Sequence, residues 1–390
     1  MNARRWWVLA VFVLSTAINY LDRQTLATLA PLVRAEFHLS NAQYGLILSA
    51  FSLTYMAAAP FAGLWIDRVG LNRAIAAAVA VWSVAGIATG FTRSLAGLVA
   101  CRAVLGASEA AGIPAAGKAI HLYLKPAERA LGNAVNQAGV SLGLIFAPPA
   151  ATWLAMRYGW RQAFILTGLL GLLWIPLWHR VGHASAAPDA PLPVSFDLLR
   201  SARLWGFVAA NALSMIVYSL WTNWTTLYLV EVHRLTLVQA AWYAWVPPLF
   251  ATVGGFAGGW LSLAWMRRGL AAIAARTRVC LAAGLLALAT AAVPLAPSAA
   301  LAVAGISLSI FAVAAFSVNM YTMPLDTFGG PRAAFAVSIL VSSYGAVQAL
   351  ASPAIGAAVD AWGYAPVCAV AALAPLAAYG VLRWTASARS

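Results

Sequence analysis

Four ionisable residues lie inside otherwise apolar stretches of this chain. Asp22 and Arg23 stand in Asn19-Tyr-Leu-Asp-Arg-Gln24, and Arg102 and Glu109 in Arg-Ala-Val-Leu-Gly-Ala-Ser-Glu. An Arg or Asp at the centre of a bilayer helix costs roughly 2.5–3.5 kcal/mol on insertion scales, so such residues face partners or water and mark pathways. Arg102 and Glu109 are seven positions apart, close to two helical turns, which puts them on one face. Gly106 and Ser108 between them leave room for a substrate or a close neighbour. An arginine offers a planar fork to a carboxylate, and a carboxyl in a low-dielectric site can load and release a proton. These are the minimum parts for proton-coupled movement of an anion. The same four residues also suit a structural ion-pair network between two helices.

The elements that position them must be membrane spans. Hydrophobic residues make up 63% of the 390 and charged residues 9%, against about 25% charged in a soluble domain; mean hydropathy is +0.82. A soluble fold of this length would lack the polar side chains to cover itself. A bilayer core about 30 Å thick needs roughly 20 apolar residues per helix. That ruler predicts spans near 6–30, 42–66, 74–92, 95–119, 130–153 and 161–179. After a polar stretch from Arg180 to Arg203, with a short helical piece at Phe196 to Arg200, six more follow. They fall near 204–230, 238–262, 276–296, 299–323, 333–358 and 363–384. The expected fold is an all-α membrane protein with twelve transmembrane helices in two pseudo-symmetric six-helix bundles. Residues 1–180 and 204–390 form the bundles, and 181–203 a cytoplasmic loop. The apolar run from Trp6 continues to about Ala30 without a small-residue cleavage pattern, so it reads as a retained helix and not a signal peptide.

Charge placement sets an orientation. With both termini in the cytoplasm, Arg34, Arg93, Arg157, Arg161 and Arg234 fall in outer segments and Arg23 and Arg102 inside spans. All the other Lys and Arg of the 24 then lie on the inner side, the bias expected of cytoplasmic loops. The same distribution argues against nucleic-acid binding despite the net charge of +14, because no basic soluble module exists. Cys101, Cys280 and Cys368 are far apart and inside apolar runs, which gives neither a disulfide framework nor zinc spacing. The five histidines form no metal-ligand spacing. No phosphate-binding loop and no nucleophile–base pair occurs, so neither an ATP-driven pump nor an enzyme is expected, and no cofactor.

The halves echo one another. Gly63-Leu-Trp-Ile-Asp67-Arg68-Val-Gly70-Leu-Asn-Arg73 follows the second span, and Gly258-Gly-Trp-Leu-Ser-Leu-Ala-Trp-Met-Arg267-Arg268-Gly269 the eighth. Duplicated halves with a midplane substrate site are a common transporter plan. Gly63 and Gly70 allow close helix approach and a tight turn. Asp67 can meet a neighbouring helix N-terminus or pair with Arg73. Gly139 and Gly143 are spaced for helix packing in the fifth span.

The G-x-x-x-D-R-x-G-x-x-R turn resembles the signature between helices two and three of the major facilitator superfamily. Asn19-Tyr-Leu-Asp-Arg, Leu39-Ser-Asn-Ala-Gln-Tyr-Gly45, Arg102…Glu109…Pro114-Ala-Ala-Gly-Lys118, Glu128-Arg129 and Ala147-Pro-Pro149 are similar to its anion:cation symporter family. Within it they come nearest to bacterial hexuronate and sugar-acid transporters. Tyr243-Ala-Trp-Val-Pro247 and Asn319…Asp326-Thr-Phe328 extend the likeness into the second half. The resemblance implies that Arg23 binds the substrate carboxylate, that Asp22 and Glu109 are protonation sites, and that Arg102 modulates them. It implies substrate contacts at Tyr55 and Asn319 and a conformational latch of Gly63, Asp67, Arg68, Gly70 and Arg73. The latch should be lopsided, because Leu263 stands where the second copy would carry an acid. The family's polar group in helix five has no obvious match. Val140 occupies one expected position and Asn136 and Gln137 are nearby, with Gln137 the chosen substrate residue. Trp224 and Gln348 are further candidates for selectivity.

The expected function is proton-coupled symport of an organic anion by alternating access, in a bacterial inner membrane, by a monomer. Export of drugs or metabolites on the same scaffold is the alternative. A membrane sensor without transport is a third reading, weakened by the lack of a soluble signalling domain.

Overall fold

A computed structural model describes residues 3–125, 128–182, 196–328 and 330–387. The expected central loop, 181–203, lies mostly outside them, as does His183. The described residues are helical almost throughout. They form α1 (Ala3–Phe37), α2 (Asn41–Val69), α3 (Leu71–Thr89), α4 (Leu95–Tyr123), α5 (Arg129–Tyr158) and α6 (Trp160–Val181). After a 3-10 turn at Phe196–Arg200 come α7 (Ala202–Glu231), α8 (Leu237–Arg267), α9 (Ala272–Leu295), α10 (Ala299–Phe328), α11 (Gly330–Trp362) and α12 (Tyr364–Ser387).

Eleven of these are long and apolar enough to cross a membrane. The twelfth, α1, is long enough at 35 residues but not apolar enough, because Asn19, Asp22, Arg23 and Gln24 lower its hydropathy. The helix that fails the hydropathy test is therefore the one bearing half of the ionisable cluster. Large apolar side chains such as Phe256, Trp242 and Val370 are more than 70% exposed. An exposed surface of that kind suits hydrocarbon and not water.

Proline explains the breaks. α4 is interrupted after Glu109 and resumes at Gly112; Pro114 lacks an N–H and its ring clashes with the carbonyl four residues earlier. Pro247 and Pro248 follow the break of α8 at Trp245 in the same way.

The chain divides into two compact units, Met1–Pro191 with Thr236–Trp245, and Leu192–Leu235 with Val246–Ser390. In the first, α1 packs on α5 and α6, α2 on α4, and α3 on α4 and α6. In the second, α7 packs on α11 and α12, α8 on α10, and α9 on α10 and α12. Each pairing recurs six helices later. The recurrence reaches single turns: His38 and Arg234 both take positive φ, 51° and 56°. Each is followed by Leu and then a capping box, Ser40 with Gln43 and Thr236 with Gln239. Gly70 and Gly269 also match, at φ 87° and 91°, where a side chain would be strained. Small residues permit the close approaches, as is usual between membrane helices. Gly139 and Gly143 both lie against α1, where an added Cβ would stand 2.6 Å from Val13 Cγ1 or 2.5 Å from Ala17 O.

Candidate functional site

The cluster is built where α1, α2 and α4 of the first unit meet. Arg23 Nε and Nη2 both donate to Glu109 Oε2, at 3.0 and 2.9 Å. The Glu109 side chain is fully buried, whereas that of Arg23 is 26% exposed. The guanidinium carbon lies 4.8 Å from the ring centroids of Tyr20 and Phe51 and 5.2 Å from that of Tyr55. Three electron-rich faces thus enclose the cation. Two of its five N–H donors are engaged by one carboxylate oxygen, and an arginine fork is suited to two.

Asp22 and Arg102 lie behind this pair. Both are buried, and each is within electrostatic reach of the other and of Glu109. Arg102 also sits 5.8 Å from the Phe164 ring. Thr167 is a hydrogen-bond partner of Asp22 and Asn19 of Glu109, while Nε of Arg102 has no partner among the described residues. A buried donor without a partner is rare and calls for a reason; this one lies within electrostatic reach of both Asp22 and Glu109.

The structure brings Asp22, Arg23, Tyr55, Arg102 and Glu109 together. Gln137 is exposed on α5, while its neighbour Asn136 accepts a hydrogen bond from Thr16 of α1 at 3.0 Å. The other three lie in the second unit. Asn319 is buried, its amide donating to Gly258 O and Ala315 O at 3.1 and 2.9 Å, so it ties α10 to α8. Trp224 is fully buried in α7 and Gln348 half-buried in α11. Tyr20 and Phe51 were not anticipated, though Tyr20 precedes Arg23 by three positions and Phe51 precedes Tyr55 by four, the spacings that share a helix face.

At the turn between α2 and α3, Asp67 does not pair with Arg73. Its partner is Lys118 of α4, at 2.8 Å, while Arg68 and Arg73 are exposed. Helix α4 passes α2 closely enough to deliver a lysine from 51 positions away. The second unit, expected to be the weaker latch, has its own ion pair: Arg276 of α9 meets Asp326 of α10 at 2.5 Å. Asp67→Asn and Lys118→Ala should each cost about 0.5–1 kcal/mol, as partly exposed pairs do, and be non-additive together. Arg73→Ala should change stability by less than about 0.5 kcal/mol. A thermal-unfolding double-mutant cycle reads both.

Two repeated helical units, a lipid-compatible surface and a buried cluster of opposite charges beneath an accessible arginine define a multi-pass membrane transporter. The chain belongs to the Major Facilitator Superfamily, whose family model matches residues 12–277. It is 29% identical over 404 residues to a hexuronate transporter of Escherichia coli strain K12, covering 98% of this chain and 93% of that one. It is 30% identical over 379 residues to a protein described as a probable sulfoacetate transporter of Cupriavidus necator, covering 90% and 86%. Among solved structures, a bacterial homolog of the human lysosomal transporter Spinster, in an inward-facing and occupied conformation, shares the fold. Its TM-score is 0.80 at 21% identity, covering 99% of this chain and 96% of that one. The protein is a transporter and not an enzyme.

Proposed function

We propose that the protein is a proton-coupled symporter of a small organic anion, with hexuronate-type sugar acids the first substrates to test. The observation that carries this reading is the shared Arg23 fork: Glu109 holds it with both contacts on one oxygen. A substrate carboxylate and an ionised Glu109 compete for the same N–H groups. When Glu109 takes a proton it loses its ion-pair attraction to the Arg23 guanidinium, which stays charged, and its claim on the fork falls. Substrate then binds, and loss of the proton on the other side of the membrane restores the competitor and ejects it. Asp22 is the second proton site, and buried Arg102 sets the field that both carboxyls experience. Tyr55 is assigned to substrate contact beside Arg23, and Gln137 to substrate contact from its exposed position on α5. Selection in the second unit is assigned to Trp224, Gln348 and Asn319, the last through Oδ1, since its amide is engaged. The Asp67–Lys118 pair, with Gly63, Arg68, Gly70 and Arg73, is assigned to the latch that changes state during the cycle. Residues 1–180 and 204–390 act as the two bundles.

The relatives that transport hexuronate and galacturonate support the substrate class, and the distribution of arginine supports cytoplasmic termini in a bacterial inner membrane. A monomer suffices for the cycle. In proteoliposomes, uptake of labelled glucuronate or galacturonate should follow an inward proton gradient and vanish with a protonophore. Substrate leaving against an inward proton gradient would replace import by export. Failure of every carboxylate tested to move would remove the anion reading.

A further inference from the structure

The second unit contains a cavity of about 200 Å³ lined by none of the residues assigned to transport above. It lies where the starts of α7 and α9 adjoin the ends of α10 and α12. Phe207, Ile273, Met323 and Leu382 form its apolar walls, and Arg203 reaches it from an exposed position on the first turn of α7. Thr277, Thr327 and Thr385 also line it. Each donates its hydroxyl to a carbonyl one turn back, Ile273 O at 2.7 Å, Met323 O at 2.8 Å and Val381 O at 3.0 Å. Those donors are engaged, and Arg203 is the one charged residue lining the cavity among the described residues. Asp326, beside Thr327, does not line the cavity and is held by Arg276 at 2.5 Å.

We propose that this cavity binds an anionic phospholipid, with Arg203 on the headgroup phosphate and acyl carbon against the apolar walls. A guanidinium suits phosphate oxygens, and basic pockets between helices at membrane-span ends attract anionic headgroups. The volume equals roughly seven waters at about 30 Å³ each. An inorganic ion alone would leave most of the apolar wall uncovered, whereas a lipid covers both surfaces at once.

The test uses the purified full-length protein in nanodiscs of phosphatidylcholine, with and without phosphatidylglycerol. Phosphatidylglycerol should raise Tm by about 2–4 °C, and native mass spectrometry should find it retained. Arg203→Gln should abolish the lipid-dependent rise, Arg203→Lys should restore part of it, and Thr327→Leu, which fills the cavity, should reduce retention with Arg203 intact. An equal rise in Arg203→Gln overturns the proposal. So does a full rise from inorganic phosphate in phosphatidylcholine discs, or no difference between lipids for the unaltered protein. The wild-type comparison stands even if a variant fails to fold, and it is independent of what the protein transports.

Discussion

Replacing Glu109 by Gln is expected to abolish concentrative uptake while leaving substrate exchange intact. Glutamine keeps the shape and one acceptor for Arg23 but cannot gain or lose a proton. The fork is then permanently in its weakly held state, so substrate binds and crosses but no longer feels the proton gradient. Each coupled proton supplies about 1.4 kcal/mol per pH unit, a tenfold accumulation. In proteoliposomes with a one-unit inward gradient, the variant's internal-to-external ratio should fall to about 1. Counterflow, loaded with unlabelled substrate and chased with label, should persist. Retention of full accumulation would take Glu109 out of the coupling. Arg23→Ala should behave differently. It strips the buried Glu109 of both hydrogen bonds from Arg23, and removing one partner of a buried pair costs about 3–5 kcal/mol. Both stability and exchange should therefore fall. Arg23→Lys separates charge from shape, since it keeps the cation and loses the fork.

Gly106→Ala is expected to be the most damaging single-methyl change in the first unit. The added carbon would fall on the carbonyl oxygen of Phe51, and would stand 2.6 Å from Thr54 Oγ1. Backbone cannot swing aside as a side chain can, so α2 must move away from α4. The Thr54 hydroxyl bond to Ala103 O, at 2.7 Å, would go with it. Overpacking of this kind costs about 1–3 kcal/mol. The consequence reaches the site directly, because Phe51 is one wall around Arg23 and Glu109 stands three positions beyond Gly106. A lowered Tm should accompany weakened substrate affinity. Gly117→Ala is the control on the same helix: nothing lies within 4 Å of its added carbon, so the change should be neutral or stabilising by up to about 1 kcal/mol. Equal behaviour of the two variants would mean that α2 and α4 are not held in close contact.

Much of this architecture was legible in the residues. Apolar run length specified the spans, and the seven-residue spacing of Arg102 and Glu109 placed both on one face of α4. The glycine-bearing basic turns pointed to duplication, which the paired capping boxes at Ser40 and Thr236 now extend. Apolar run length placed a span at 6–30 as well, although Asn19, Asp22, Arg23 and Gln24 leave α1 less apolar than the other eleven helices. Those inferences work because helical periodicity is local and depends only on residues a few positions apart.

Which faces meet is a different matter. Asp67 has a basic neighbour six positions on at Arg73, yet bonds to Lys118, because only packing of α2 on α4 decides what stands across from it. The placing of both Arg23 donors on one oxygen, and the closure of Tyr20, Phe51 and Tyr55 around that cation, depend on helices separated by dozens of residues. The sequence by itself determined that charges would be buried, on which helices and in which half. Only the tertiary structure decided their partners, since pairing energy is set by distance and desolvation between segments whose separation along the chain carries no trace of either.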